Sequence, residues 1–290
     1  MGGARMTRLA KFGRPASSVL IYAVLSALII IPFLSFLAMS FFSMDGVTIN
    51  RTPTMLNFYR AVTDPVMMTV FWRTVLLCGA IALVTTLIAY PVAVFIDGLQ
   101  GVARYVMLTA ITAPLILSYV MKIYAFRSIL GGNGILNRML LATGILDAPS
   151  NFFVFNLNAV FLVLVVLLAP FAILPILLSL EKIPASLSEA AADLSASRWT
   201  AFRTVTLPLS RPGIATALSF TFIMSIGDFV TPQMVGGPNG FTFGRIIYSQ
   251  FGLAFNWPFG AALGVLMAAV IVIVLAMAMR LGRVPGGAAR

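Results

Sequence analysis

This sequence predicts an all-α integral membrane protein with six transmembrane helices, and three observations carry that prediction. Of its 290 residues 60% are apolar and only 9% are charged, against about 25% charged in an average soluble domain. Mean hydropathy is +1.03, so a soluble surface cannot be covered and the low hydrophobicity that disorder needs is missing. Charge-free runs occupy 15–44, 74–96, 105–121, 148–180, 212–227 and 246–279. Each is continuously apolar instead of alternating with period two, which selects helices over a β-barrel.

A helix needs about 20 apolar residues to cross the hydrocarbon core. Span one is expected at 17–42, where four basic residues precede an apolar stretch too long for a signal peptide's core of about 7–15 residues. Span two falls at 74–96, span three at 105–124 and span four at 153–178. The fifth run is interrupted only by Asp228 and continues apolar to Val235, so span five is placed at 213–235 and span six at 259–280. Pro32, Pro91, Pro114, Pro170 and Pro175 fall within spans, where proline is common.

Orientation follows Lys and Arg in the short connections. With the N-terminus inside, twelve of the 19 basic residues are cytoplasmic: Arg5, Arg8, Lys11, Arg14, Arg104, Lys182, Arg198, Arg203, Arg211, Arg280, Arg283 and Arg290. The expected organisation is a cytoplasmic segment 1–16, a transmembrane domain 17–281 with a cytoplasmic loop 179–211, and a cytoplasmic tail 282–290. The net charge of +11 is scattered among helix ends, which fits topology and attraction to anionic lipid better than nucleic-acid binding.

Enzyme chemistry finds no footing. The chain has no His and one Cys, Cys78, so neither a His-based triad nor an internal His/Cys metal site is expected. The glycine-rich stretches Gly131-Gly132-Asn133-Gly134 and Gly236-Gly237-Pro238-Asn239-Gly240 do not lead into the Gly-Lys-Ser/Thr of a phosphate-binding loop; they suit turns. Of the eight acids only Asp228 lies at membrane depth.

The loop 179–211 is the informative stretch. Ser186 and Glu189 have the spacing of a capping box, which predicts a short helix starting there through the good helix formers Ala190, Ala191 and Ala192. Ser197 can cap a second helix to about Thr204, with Pro208 and Pro212 stopping it before span five. Two short helices with a small-residue face suit a docking surface or a purely structural loop.

Glu189-Ala190-Ala191-Ala192-Asp193-Leu194-Ser195-Ala196-Ser197, followed by Phe202, Val205, Leu207-Pro208-Leu209 and Pro212-Gly213-Ile214, resembles the EAA loop of ABC importer permeases. Further stretches, Gly134-Ile135-Leu136-Asn137, Pro170 to Pro175, Gly227 to Pro232 and Trp257 to Leu263, are similar to permeases of spermidine/putrescine importers. The resemblance implies a type I importer permease in a bacterial inner membrane. Its loop would dock as a coupling helix on separate ATPase subunits through Glu189, Ala190, Ala191, Asp193, Leu194, Ser195, Ala196, Leu207 and Pro208. It also implies two such ATP-binding subunits, which would hold ATP and Mg while this chain holds no cofactor. A second permease subunit and an extracytoplasmic solute-binding protein complete the implied assembly. Ser195 stands where the family pattern usually has Gly; a left-handed turn there costs Ser about 1 kcal/mol.

An ionisable residue inside the membrane is a functional candidate by default. Asp228, with Phe229 and Tyr124, would supply charge and cation–π contact to a polyamine. The bland alternative pairs Asp228 with Lys122 or Arg127, or with backbone freed by Pro232. Gly260, Gly264 and Ala268 recur every four residues in span six, a spacing for close helix packing within or between subunits. The rival functional class is an ion-gradient secondary transporter; a membrane enzyme or scaffold has no catalytic cluster to offer.

Overall fold

Long apolar runs without a helix-ending cap signal become long helices, and these dominate the computed structural model, which describes residues 6–282. In chain order come α1 (Met6–Met39), a hairpin of β1 (Ser43–Asp45) and β2 (Thr48–Asn50), α2 (Leu56–Thr63) and α3 (Pro65–Asp97). Then follow α4 (Gly101–Ile116), α5 (Tyr119–Leu130), α6 (Ile135–Ala142) and α7 (Leu157–Leu180). The predicted loop contains α8 (Ala185–Asp193), α9 (Arg198–Ala201), a π-helical turn Phe202–Thr206 and α10 (Leu207–Leu209). The chain closes with α11 (Arg211–Ile226), α12 (Val230–Val235), α13 (Phe243–Gly252) and α14 (Trp257–Leu281). Among the described residues four helices are long and apolar enough to cross a membrane, and two bent pairs, Gly101–Ile116 with Tyr119–Ala142 and Arg198–Leu209 with Arg211–Ile226 (60°), would add one crossing each. Arg5, Arg283 and Arg290, and with them the ends of both expected cytoplasmic segments, lie outside the described residues.

Two predicted spans are not single helices. Span three breaks at Leu117 and Ser118, whose backbones are extended, and α4 meets the segment Tyr119–Ala142 at 100°. Pro114 weakens the α4 ladder by removing one donor, and Lys122 Nζ donates to the Pro114 carbonyl at 3.2 Å. Span five ends at Ile226, with Gly227 and Asp228 separating α11 from α12. Pro91, Pro170 and Pro175 leave α3 and α7 continuous.

Two compact units divide the chain. The first contains α1, the hairpin, α2 and residues 250–266; buried Asn57 ties α2 to the end of α1, its Nδ2 donating to the carbonyls of Ser40 at 3.3 Å and Phe42 at 2.7 Å. A Cβ on Gly264 would come within 2.8 Å of the Phe36 ring, and one on Gly260 within 2.9 Å of the Phe251 ring. Those two glycines therefore make room for aromatic rings of this chain itself.

The second unit is built on α3, α7 and α11, and its described residues include two separate buried clusters. One gathers Ile81 of α3, Ile123 and Leu130 of α5, Val163 of the first half of α7, and Val235 of α12. The other gathers Ala89 and Ala93 of α3, Ile173 and Ile176 of the second half of α7, and Ala217 of α11, with Leu108 of α4 against them. Thus α3 and α7 run through both clusters. Each broken span has its two halves in different ones. Helices in lipid gain little from hydrophobic transfer and associate through close packing. Gly213 shows the closeness: a Cβ there would lie 2.5 Å from Ser179 Cβ and 2.7 Å from the Pro175 carbonyl oxygen.

Candidate functional site

Two regions carry polar or exposed side chains in arrangements that plain packing does not require. The first is the loop between α7 and α11. Its first helix begins at Ala185, with the Pro184 carbonyl accepting from Leu187 N at 3.1 Å. Proline suits a helix start because its missing donor has no intrahelical partner there. Ser186 therefore sits inside the first turn, which corrects the predicted capping box. At the other end Leu194 N donates to Ala190 O at 3.2 Å and Ala196 N to Ala191 O at 3.0 Å. Ser195 between them has φ +56°, the left-handed conformation that closes such a helix end and that favours glycine. Serine therefore adopts the backbone that the family glycine would take freely.

Ser197 caps α9 as expected, its Oγ accepting from Thr200 N at 3.2 Å. The helical path does not stop near Thr204, however, but widens into the π turn and continues to Leu209. Leu207 N reaches back to Phe202 O, so the wider turn absorbs the backbone donor that Pro208 lacks. Glu189, Ala190, Asp193 and Ser195 are exposed, Ala191 and Ala196 are half-buried, and Leu207 and Pro208 lie half-buried at the root. Leu194 is 84% exposed and Trp199 68% exposed.

From that surface an aromatic ladder runs inward. Trp199 stacks on Phe202 with centroids 5.4 Å apart, and Phe202 meets Tyr90 of α3 edge-on at 5.9 Å. Buried Ser210 Oγ donates to Leu207 O at 3.2 Å, which leaves its oxygen to accept from the Tyr90 hydroxyl at 2.8 Å. Arg104, at the start of α4, is ion-paired with Glu181 at the root of the loop. A mostly apolar groove of about 480 Å³ opens where α7, α8 and α11 meet, lined by Pro175, Ser179, Lys182, Leu187, Leu209 and Gly213.

The second region lies at the two helix breaks. Asp228 Oδ1 accepts from the backbone amides of Val230 at 2.9 Å and Thr231 at 3.2 Å, so the side chain caps α12. Its Oδ2 accepts from the Tyr119 hydroxyl at 2.8 Å. That hydroxyl lies 2.9 Å from Thr231 Oγ1; with its own proton given to Asp228, it accepts from Thr231. Beside them the Phe229 and Tyr248 rings stack at 4.5 Å, nearly parallel at 9°. Lys122 Nζ lies 5.7 Å from the Tyr119 ring centroid, and the Arg127 guanidinium 5.6 Å from that of Phe155. Asp228 is therefore tied to freed backbone and to a tyrosine, while both basic candidates are turned to aromatic rings. A carboxylate has about four lone-pair sites, so one remains open after these three bonds.

Tyr124 does not join this cluster: it is 52% exposed, and five residues on a helix turn it about 140° away from Tyr119. Tyr119, Thr231 and Tyr248 were not singled out from sequence. Gly227-Asp228 with Pro232 four residues later is a legible stop-and-restart signal, which would have located the break and its Thr231 amide. Nothing local marks Tyr119, 109 residues away. On α3, Thr85 Oγ1 and Thr86 Oγ1 are buried without a hydrogen-bond partner among the described residues. Each such orphan costs about 1–3 kcal/mol, and both lie between Ile81 of one cluster and Ala89 of the other.

Residues 99–282 match the family model of the binding-protein-dependent transport system inner membrane component. The chain is 35% identical over 257 residues to the spermidine/putrescine transport system permease protein PotB of Haemophilus influenzae, covering 87% of this chain and 89% of that protein. It is 34% identical to the inner membrane ABC transporter permease protein YdcU of Escherichia coli, covering 86% and 83%. Among solved structures, a bacterial ABC transporter involved in the import of the acidic polysaccharide alginate superposes with a TM-score of 0.76 at 19% identity, covering 96% of this chain and 98% of that one. The last likeness establishes the fold.

Proposed function

The chain belongs to the family of binding-protein-dependent transport system inner membrane components, and from that premise we propose that it is the permease subunit of an ATP-driven importer of a polyamine such as spermidine or putrescine. The name and 35% identity of the Haemophilus relative support the solute; another small organic solute is the second reading, favoured by the equally similar Escherichia relative whose name states none. The chain crosses a bacterial inner membrane six times, with α4 and the segment Tyr119–Ala142 as one bent crossing, the segment Arg198–Leu209 with α11 as the other, and both termini cytoplasmic. Residues 1–16 and 282–290 flank a permease domain of 17–281.

One observation carries the mechanism: an apolar tip, Leu194 and Trp199, stands in the open on a helix pair whose turns are closed by its own hydrogen bonds. Exposed apolar side chains on a preformed surface mark a docking site. Glu189, Ala190, Ala191, Asp193, Leu194, Ser195 and Ala196 form the face offered to the two ATPase subunits, which bind ATP and Mg; Leu207 and Pro208 form its root. This chain hydrolyses nothing itself and needs no cofactor or metal. Displacement of the loop travels through Trp199, Phe202 and Tyr90 into α3, and through Ser210 into α11. A sister permease completes the pathway and an extracytoplasmic binding protein delivers the solute. Asp228 and Phe229 lie on the path, with the open lone pair of Asp228 available to an ammonium group, and Tyr124 stands farther along α5.

The test is ATP hydrolysis by the reconstituted assembly of this chain, its sister permease, ATPase and binding protein. Stimulation by spermidine or putrescine that requires the binding protein is expected. Stimulation by a different solute alone would replace the polyamine while keeping the importer, and an assembly indifferent to its binding protein would overturn the reading.

A further inference from the structure

The two helix breaks are not independent. The break at 117–118 leaves Tyr119 as the first residue of α5, and the break at 227–229 contains Asp228. One hydrogen-bond chain, from Thr231 to Tyr119 to Asp228, joins them. Around this chain the packing changes clusters: Leu108 of α4 and Ala217 of α11, before the breaks, pack with the second halves of α3 and α7, whereas Ile123 of α5 and Val235 of α12, after them, pack with Ile81 and the first half of α7.

We infer that Tyr119 is a positioning residue for transport: its hydroxyl fastens the two breaks to each other, so that α5 and α12 turn as one body against α4 and α11. The inference rests on the importer reading for its consequence, but not for its geometry. The apolar contacts of Ile123, Leu130 and Val235 already make α5 and α12 one packed piece, and the hydroxyl adds register at the pivot. Thr85 and Thr86 lie at the same change of cluster on α3, their buried hydroxyls lacking partners among the described residues. Hydroxyls so placed have bonds to gain when the two clusters shift past one another. Lys122 steadies the pivot from the other side, donating to the Pro114 carbonyl and lying 5.7 Å from the Tyr119 ring centroid.

Tyr119→Phe removes the hydroxyl and keeps the ring. In the reconstituted assembly, stimulated ATP turnover at saturating solute should fall about tenfold, the equivalent of one net hydrogen bond, while the solute concentration for half-maximal stimulation stays unchanged. Asp228→Asn still caps α12 through its amide oxygen but loses the acceptor facing Tyr119, so the double variant should turn over no more slowly than the slower single variant. Additive losses would mean separate roles and overturn the shared joint. Amide hydrogen exchange at Val230 and Thr231, followed in the detergent-solubilised assembly without solute, should quicken about tenfold in Tyr119→Phe. That measurement separates the joint from the solute: an assembly unresponsive to polyamines that still shows it loses the polyamine and keeps the joint. If Tyr119→Phe does not assemble, Thr231→Val removes the second hydrogen bond of the Tyr119 hydroxyl and leaves its bond to Asp228, so it should give changes in the same direction but smaller, about threefold. Unchanged exchange and unchanged turnover in whichever variant assembles would overturn the inference.

Discussion

The α8–α10 loop and the joint at Asp228 use the same hydrogen-bonding groups at opposite ranges. In the loop, Ser197 bonds Thr200, Ala196 bonds Ala191 and Leu207 bonds Phe202, all within five residues of one another. In the joint, Tyr119 bonds Asp228 and Thr231 across 109 and 112 residues. Short-range bonds hold their shape whatever the rest of the molecule does, so the loop can be pushed as a unit. Long-range bonds exist only while two helices keep one arrangement, so the joint reports, and can resist, a change of arrangement. A part that transmits force must be locally closed; a part that switches must not be.

The contrast is broken most severely at the loop surface. Glu189→Lys reverses one exposed charge without touching a bond of the fold, and solute-stimulated ATP hydrolysis is expected to drop to the unstimulated rate while the purified chain keeps its elution volume and helical circular dichroism. Persistent stimulation would leave the loop as a mere connection. Next in size is Gly213→Ala. The added methyl collides with Ser179 Cβ and the Pro175 carbonyl, where backbone must move, so a loss of about 1–3 kcal/mol is expected, read as a lowered midpoint of thermal unfolding in detergent. An unshifted midpoint would mean that α11 does not depend on so close an approach to α7.

The smallest effect sharpens the comparison instead of breaking it. Ser195→Gly relieves a left-handed residue at the end of α8, for a gain of at most about 1 kcal/mol after the chain entropy of glycine is set against it. Exchange at the Ala196 amide, which bonds Ala191 O, should slow by up to about fivefold, the Boltzmann factor for that energy. Exchange at Val230 and Thr231 should not change. Coupled changes at both places would show that loop and joint are one device.

Much of the loop was legible because its determinants are local. Ser197 sits where a cap was expected, and Ser195 takes the left-handed turn that the resemblance assigns to that position. The misplacements there were also local in origin, since Pro184 starts α8 one residue ahead of Ser186 and a π turn carries the helix past Thr204. The spans were legible from continuous hydropathy. Hydropathy does not show their breaks, because Leu117-Ser118 and Gly227-Asp228 are short interruptions in runs whose average barely changes; only the second carries a local signal, through Pro232. The proline count does not reveal them either, for α3 and α7 pass through theirs unbroken.

By itself the sequence determined a polytopic helical membrane protein, the short helices of the loop with the Ser197 cap, and an acid that interrupts an apolar run, because hydrophobicity and capping act over a few neighbouring residues. Only the tertiary structure decided what that acid touches, where α4 bends into α5 and α10 into α11, and that α4 and α5, like α11 and α12, contribute to different buried clusters. Such features depend on which helices pass side by side, and a hydrogen bond between residues 119 and 228 leaves no periodicity in either stretch of chain.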